Sequence, residues 1–264
     1  MDCSTAFLNS WSRAKALVCL LLCAGGAAWA GGPGPAQDAH VEAHWAYMGI
    51  EGPEHWGMLG SAYMECESGS HQSPIDISMP RHAQRQEQLT LHYQPSRAQI
   101  LNTGHTIQVN LQPGNVLHLN GRAYRLRQFH FHEPSEHHVA GVTYSMELHL
   151  VHQDARGHVA VVAVLMTLGT QHLALAEVWE RFPTQVGSVA IATVVNVKDL
   201  LPNSLYHYSY HGSLTTPPCT EGVQWIVLGE PIYLSSDQIQ QFVSIIGHNA
   251  RSTQPLHGRK VEEN

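Results

Sequence analysis

The sequence is short of charge, and of positive charge above all. Only 13% of its 264 residues are Asp, Glu, Lys or Arg, and 14 Lys plus Arg stand against 21 Asp plus Glu, a formal net charge of -7. No basic stripe exists to track a phosphate backbone, which excludes nucleic acid as a partner class. Long apolar runs are missing beyond the first thirty residues, so the rest of the chain carries no membrane-spanning helix. Low-complexity linkers and internal repeats are missing from His44 onward, which argues for one domain over residues 44–264. Cysteine is scarce: Cys3, Cys19 and Cys23 fall in the first thirty residues, leaving Cys66 and Cys219.

The one apolar run has a different use. Arg13 and Lys15 precede an apolar stretch from Ala16 to Ala28, and Ala28-Trp29-Ala30 forms a small-x-small cleavage box. That order predicts a secretory signal peptide over residues 1–30, followed by a Gly/Pro-rich mobile leader over 31–43. The run is too short to span a bilayer comfortably and is interrupted by Gly25 and Gly26. Export to the periplasm or the medium follows. In such a compartment the remaining pair, Cys66 and Cys219, is expected to form a disulfide. A bridge closing so long a loop is worth about 5 kcal/mol in the chain-entropy picture.

Histidine is what the chain has in plenty, 20 of them. The stretch "QFHFHEPSEHH", residues 128–138, holds four histidines and two glutamates in eleven positions. It ends a region, "ILNTGHTIQVNLQPGNVLHLNGRAYRLRQFHFH", that alternates apolar and polar residues between turns at Pro113-Gly114 and Asn120-Gly121. "YSMELHLVHQD" alternates again, while "HVAVVAVLMTLG" and "VQWIVLGEPIYL" are near-continuous apolar runs, as for strands buried on both faces. Helical spacing is clearest in "LALAEVWERF" and "SSDQIQQFVSII", the second with Ser235 or Ser236 as N-cap. The class is mainly β: a large, mostly antiparallel sheet with peripheral helices.

In a strand, side chains at i and i+2 share a face. His130 and His132 therefore point one way, and Phe129 and Phe131 pack on the other. Two imidazoles at that spacing can share a metal, and a catalytic zinc needs a third protein ligand and an open position. His149 supplies the third if its strand lies alongside with its face matching. Gln128 and Glu147, each two residues before a candidate ligand, are placed to hold the second ring nitrogen of His130 and of His149. Spacing alone also fits a cupin metal motif, His-x-His followed by Glu136 as a ligand. The cupin pattern then needs a Pro-x-Gly that "MELHLVHQDARGHV" lacks.

From His44 to Arg259 the chain resembles the α-class carbonic anhydrases of the exported bacterial type. The resemblance is carried by "QFHFH…SEHH", "ELHLVH" and "GSLTTPPCTEGVQWIVL", and by "HWAYMGIEGPEHW", "QSPIDI" and "LNTGHTIQV" in the family's order. It implies a central, mainly antiparallel, ten-stranded twisted sheet. It implies Zn2+ on His130, His132 and His149, and reversible hydration of CO2 to bicarbonate by zinc-bound hydroxide. Gln128 then supports His130, Glu147 supports His149, and the Asn249 carbonyl supports His132. Thr215 accepts from the hydroxide and donates to Glu136, so Glu136 is no ligand. His105 is the proton shuttle, and Thr216 lies beside the bicarbonate. Val151, Val161, Leu214, Val223 and Trp225 form the apolar wall. Sulfonamides and anions are expected inhibitors, the Cys66–Cys219 bridge braces the Thr215 loop, and a homodimer is left open. Departures from the family pattern are Thr103 and Gln108 where asparagines are common, His211 for a proline and Ala250 for a tryptophan. The other reading is a catalytically inactive binding module on the same fold, which the intact histidine triad, Thr215 and Glu136 argue against.

Overall fold

The computed structural model describes residues 44–264, apart from the side chains of residues 191–193. The expected signal peptide (1–30) and leader (31–43) lie outside the described residues. Among those described, no helix is long and apolar enough to cross a membrane.

A twisted sheet dominates, and strand pairing places the site. The longest strands are Arg122–His132, Met146–Gln153, Val159–Leu168 and Glu221–Leu234, and they lie side by side in that order. Ten strands form one continuous path, as the resemblance implies; two more, Leu89–His92 and Val116–Leu119, bring the sheet to twelve. The added pair attaches where Val116–Leu119 lies against the first half of Arg122–His132. Pairing is mostly antiparallel, but Val159–Leu168 runs parallel to Glu221–Leu234, and Glu262–Glu263 runs parallel to Arg81–His82.

The alternation read from the sequence sets which face each residue takes. In Arg122–His132, Phe129 and Phe131 are fully buried in the larger apolar cluster with Leu148, Leu150, Trp179 and Phe242. The opposite face carries Gln128, His130 and His132. A one-residue slip would exchange the two faces, so burial of the phenylalanines locks the register of the histidines. Leu173–Glu180 and Ser236–Ile246 are the expected helices and cover that phenylalanine-bearing face through Trp179 and Phe242. Ser235 caps the second helix with a complete capping box to Gln238. The smaller apolar cluster, with Val161, Val223 and Trp225, lies on the histidine side.

Candidate metal centre

Strand register brings the three histidines together. His149 pairs directly with His130, and Glu147 with His132. The ring centroids lie 5.0 Å (His130–His132), 5.3 Å (His130–His149) and 4.5 Å (His132–His149) apart. One ring nitrogen from each falls within 4.8 Å of the others.

The second nitrogen of each ring is tied back. His130 Nδ1 donates to Gln128 Oε1 at 2.8 Å, His132 Nδ1 to the Asn249 carbonyl at 2.8 Å, and His149 Nε2 to Glu147 Oε1 at 2.8 Å. These acceptors fix the tautomers and leave His130 Nε2, His132 Nε2 and His149 Nδ1 with bare lone pairs facing inward. His132 Nε2 is buried with no hydrogen-bond partner among the described residues. Leaving a buried polar atom unpaired costs free energy, so it marks a place built for a ligand. Burial, followed by the neighbouring rings, holds His130 well below the usual imidazole range; burial, helped by His137, outweighs the Asn249 contact and Glu147 to bring His132 to about 4. Burial also lowers His149. The rings are therefore neutral at pH 7, the state in which imidazole binds a metal. An all-nitrogen set of three neutral imidazoles fits the ligand chemistry of a metal such as zinc.

Glu147 does more than its spacing to His149 suggests. The same Oε1 accepts from His137 Nδ1 at 2.6 Å, and Oε2 accepts from the His137 backbone N–H at 2.7 Å. Burial would raise its pKa, but His137 and His149 together hold it well below the carboxylate range. His137 Nε2 in turn meets the Tyr210 hydroxyl at 2.7 Å, which meets Ser73 Oγ at 2.8 Å. The ring of His138, with no role assigned from sequence, meets Thr143 Oγ1 at 3.1 Å away from the cluster.

Glu136 is fully buried but stands outside the histidine cluster able to hold a metal. Oε1 accepts from the Arg251 backbone N–H at 2.9 Å. Burial pushes its pKa up to about 7 against the lowering effects of His149, of Arg251 and of the nearby Thr215 hydroxyl. Its Oε2 is buried with no hydrogen-bond partner among the described residues. Thr215 is buried, and its loop is closed by Leu214 N–H to the Thr220 carbonyl at 3.0 Å and Cys219 N–H to the Thr216 carbonyl at 2.8 Å. Cys219 is disulfide-bonded to Cys66, 153 positions away, as expected.

The apolar side of the site comes from one cluster. Val161, Val223 and Trp225 are buried in it, and Val151 and Leu214 pack on it half-buried. Trp225 Nε1 donates to the Ser213 carbonyl at 2.9 Å, which places its ring 4.9 Å from that of His149. Thr216 is half-buried beside Thr215. His105 sits half-buried on its own loop, its ring stacked on Trp45 at 3.7 Å and 9°. Burial and then His44 lower its pKa. Of the two departures on its flank, Gln108 is engaged by Asn110 and Thr103 by its own turn. Tyr47, 6.5 Å from His105 ring to ring, has a buried hydroxyl with no partner among the described residues.

Fold and site together define a mainly-β protein with a largely buried, pre-oriented three-histidine cluster able to hold a metal ion beside an apolar wall. The profile of the eukaryotic-type carbonic anhydrase family matches residues 51–264, and the chain belongs to that family. It is 44% identical to a carbonic anhydrase of Pectobacterium carotovorum over 83% of this chain and 90% of that one. It is 40% identical to a carbonic anhydrase of Neisseria gonorrhoeae, covering 83% and 88%. Among solved structures, the α-carbonic anhydrase of Thermovibrio ammonificans in complex with the inhibitor sulfanilamide superposes with a TM-score of 0.81 at 40% identity, covering 83% and 99%.

Proposed function

We propose that the chain catalyses the reversible hydration of CO2 to bicarbonate and a proton, with Zn2+ held by His130, His132 and His149. The observation that carries the reading is the set of three neutral imidazoles, each tied back by an acceptor and each aiming its free nitrogen at one point. A zinc ion there supplies Lewis acidity that brings the pKa of a coordinated water to about 7, a figure known from carbonic anhydrase itself.

The chain's own residues do the rest. CO2 has no dipole to grip, so Val151, Val161, Leu214, Val223 and Trp225 offer it a dry wall. Thr215 orients the attacking oxygen: by donating its proton to Glu136 it can only accept from the nucleophile, which aims a lone pair at carbon. That demands an ionised Glu136. Burial works against ionisation in the metal-free chain, and a divalent cation among the histidines favours it. Thr216 meets the bicarbonate at the mouth. His105 takes up the product proton and passes it to buffer; burial, and then His44, lower its pKa below the ordinary imidazole value, which favours release.

The sulfanilamide complex of the Thermovibrio ammonificans enzyme supports expecting sulfonamides, and with them anions, as inhibitors here. The disulfide indicates an oxidising compartment. It supports the assignment of residues 1–30 as a signal peptide, 31–43 as a leader and 44–264 as the catalytic domain, in the periplasm or outside the cell. Light scattering of the purified protein decides between a monomer and a homodimer. Elemental analysis tests the metal assignment: the parent protein should carry one zinc per chain, and His130→Ala, His132→Ala and His149→Ala each close to none. Zinc retained at full occupancy in any of the three would remove that residue from the ligand set.

A further inference from the structure

Asn249 follows the Ser236–Ile246 helix, is 1% exposed, and uses every polar atom it has. Its backbone carbonyl accepts from His132 Nδ1 at 2.8 Å, and its backbone N–H donates to the Glu133 carbonyl at 2.9 Å. Its side chain reaches in two further directions. Oδ1 accepts from the Glu133 N–H at 2.8 Å. Nδ2 donates one hydrogen to the Phe131 carbonyl and the other to the carbonyl of His105, both at 2.9 Å. A carboxamide has two donors and one accepting oxygen, and all are matched here. Flipping it would set Oδ1 against two carbonyls and Nδ2 against an N–H, so only one orientation is satisfied.

The His105 loop needs such a tether. It turns through Gly104 at φ +86, and Thr103 Oγ1 accepts from the N–H groups of His105 and Thr106. Those contacts shape the loop from within. Thr106 Oγ1 also ties the loop to the Phe131 carbonyl at 2.6 Å; at His105 itself the link to the histidine cluster is Asn249 Nδ2, and the same residue's carbonyl holds His132.

We propose that the Asn249 side chain is a positioning residue for proton export, coupling the His105 loop to the peptide that holds His132 so that the two imidazoles keep a fixed spacing. The inference rests on the reading of His105 as the group that carries the proton away. Bicarbonate formation precedes proton export, so kcat/KM reports the first stage and kcat in weak buffer reports the second. Imidazole in solution bypasses the second.

The test is stopped-flow CO2 hydration by the zinc-loaded Asn249→Ser protein, in weak buffer and with added imidazole. In weak buffer kcat should fall about tenfold, a loss in keeping with displacing a reacting group by a fraction of an ångström, and it should fall by more than kcat/KM does. Imidazole should restore kcat to near the parent value. The ratio of the two rates on one sample does not depend on how much of it is folded. The double variant His105→Ala/Asn249→Ser should be no slower in weak buffer than His105→Ala alone, because a residue acting through another adds nothing once that other is gone. If Asn249→Ser does not fold, Asn249→Asp keeps the shape and the acceptor for Glu133 while losing the donors, and the same split is expected. Equal losses in kcat and kcat/KM, no recovery with imidazole, or additive losses in the double variant would overturn the proposal. A His105→Ala protein as fast as the parent in weak buffer would instead sink the shuttle reading, and the coupling with it.

Discussion

At the residue scale, Glu147 has the most demanding position. One carboxylate oxygen serves two imidazoles, His149 and His137, and the other serves a backbone N–H. Glu147→Gln keeps the shape but weakens the acceptor that sets the His149 tautomer. Replacing such a partner typically costs 10–100-fold in metal affinity, so zinc should be lost to a chelator at roughly 10–100-fold lower concentration. An unchanged competition curve would contradict the arrangement. The i, i+2 rule was enough to name Gln128 and Glu147 from the chain, because each partner sits on the same strand as its histidine. His137, Tyr210 and Arg251 were not legible in that way. Their contacts span 73 positions (His137–Tyr210) and 115 positions (Glu136–Arg251) and depend on sheet order, which alternation does not specify. Glu136 shows the difference plainly: spacing also permits a cupin-type ligand role, which the missing Pro-x-Gly argues against, and the structure leaves it outside the histidine cluster with its Oε1 on the Arg251 N–H.

At the scale of elements, the segment from Leu214 to Thr220 carries Thr215 and is held at its far end by the disulfide. Cys219 adopts φ +58, a left-handed conformation that costs a non-glycine residue free energy, so the surrounding contacts must hold it. The braces are visible: Gln72 Nε2 donates to the Cys219 carbonyl at 3.0 Å, and Arg251 donates to Gln72 Oε1 at 2.8 Å and to the Cys66 carbonyl at 2.7 Å. A Cys66→Ser/Cys219→Ser protein should melt several degrees lower, up to about 5 kcal/mol by loop entropy. It should also lose kcat/KM, because Thr215 is set less firmly. Parent-like melting and activity would show that the braces suffice without the bridge. The helix Ser236–Ile246 offers an independent check: Ser235→Ala removes one half of the capping box and should cost about 1 kcal/mol in thermal denaturation, with activity kept. The sheet has twelve strands where the resemblance implies ten, because Leu89–His92 and Val116–Leu119 pair off the main path beside Arg122–His132.

For the whole molecule, the buried histidines set the acid limit. Burial keeps His132 and His152 at about 4, and His130 and His149 are lowered as well. Unfolded, each titrates near 6.5. Below that value the unfolded chain takes up protons that the folded chain refuses, so stability is full above pH 6.5 and falls as pH drops toward 4. Each such histidine contributes a slope of somewhat more than 1 kcal/mol per pH unit in the middle of that window, at about 1 proton each. Glu136 works the other way: raised to about 7, it favours the folded state below neutrality. Four histidines outweigh one carboxylate, so the melting temperature of the chelated protein should fall steadily from pH 7 to pH 4. A flat or rising trend would mean that the histidines are not held neutral. The same protons compete with the metal, so zinc affinity should decline over the same range.

The central claim is that three imidazoles hold a zinc that makes this chain a CO2 hydratase. Stopped-flow CO2 hydration with a pH indicator, on one preparation before chelation, after chelation and after returning Zn2+, tests it most directly. The account predicts acceleration over buffer that disappears with the metal and returns with it. A rate over buffer that does not depend on zinc, or no acceleration at all in the zinc-loaded protein, would contradict it.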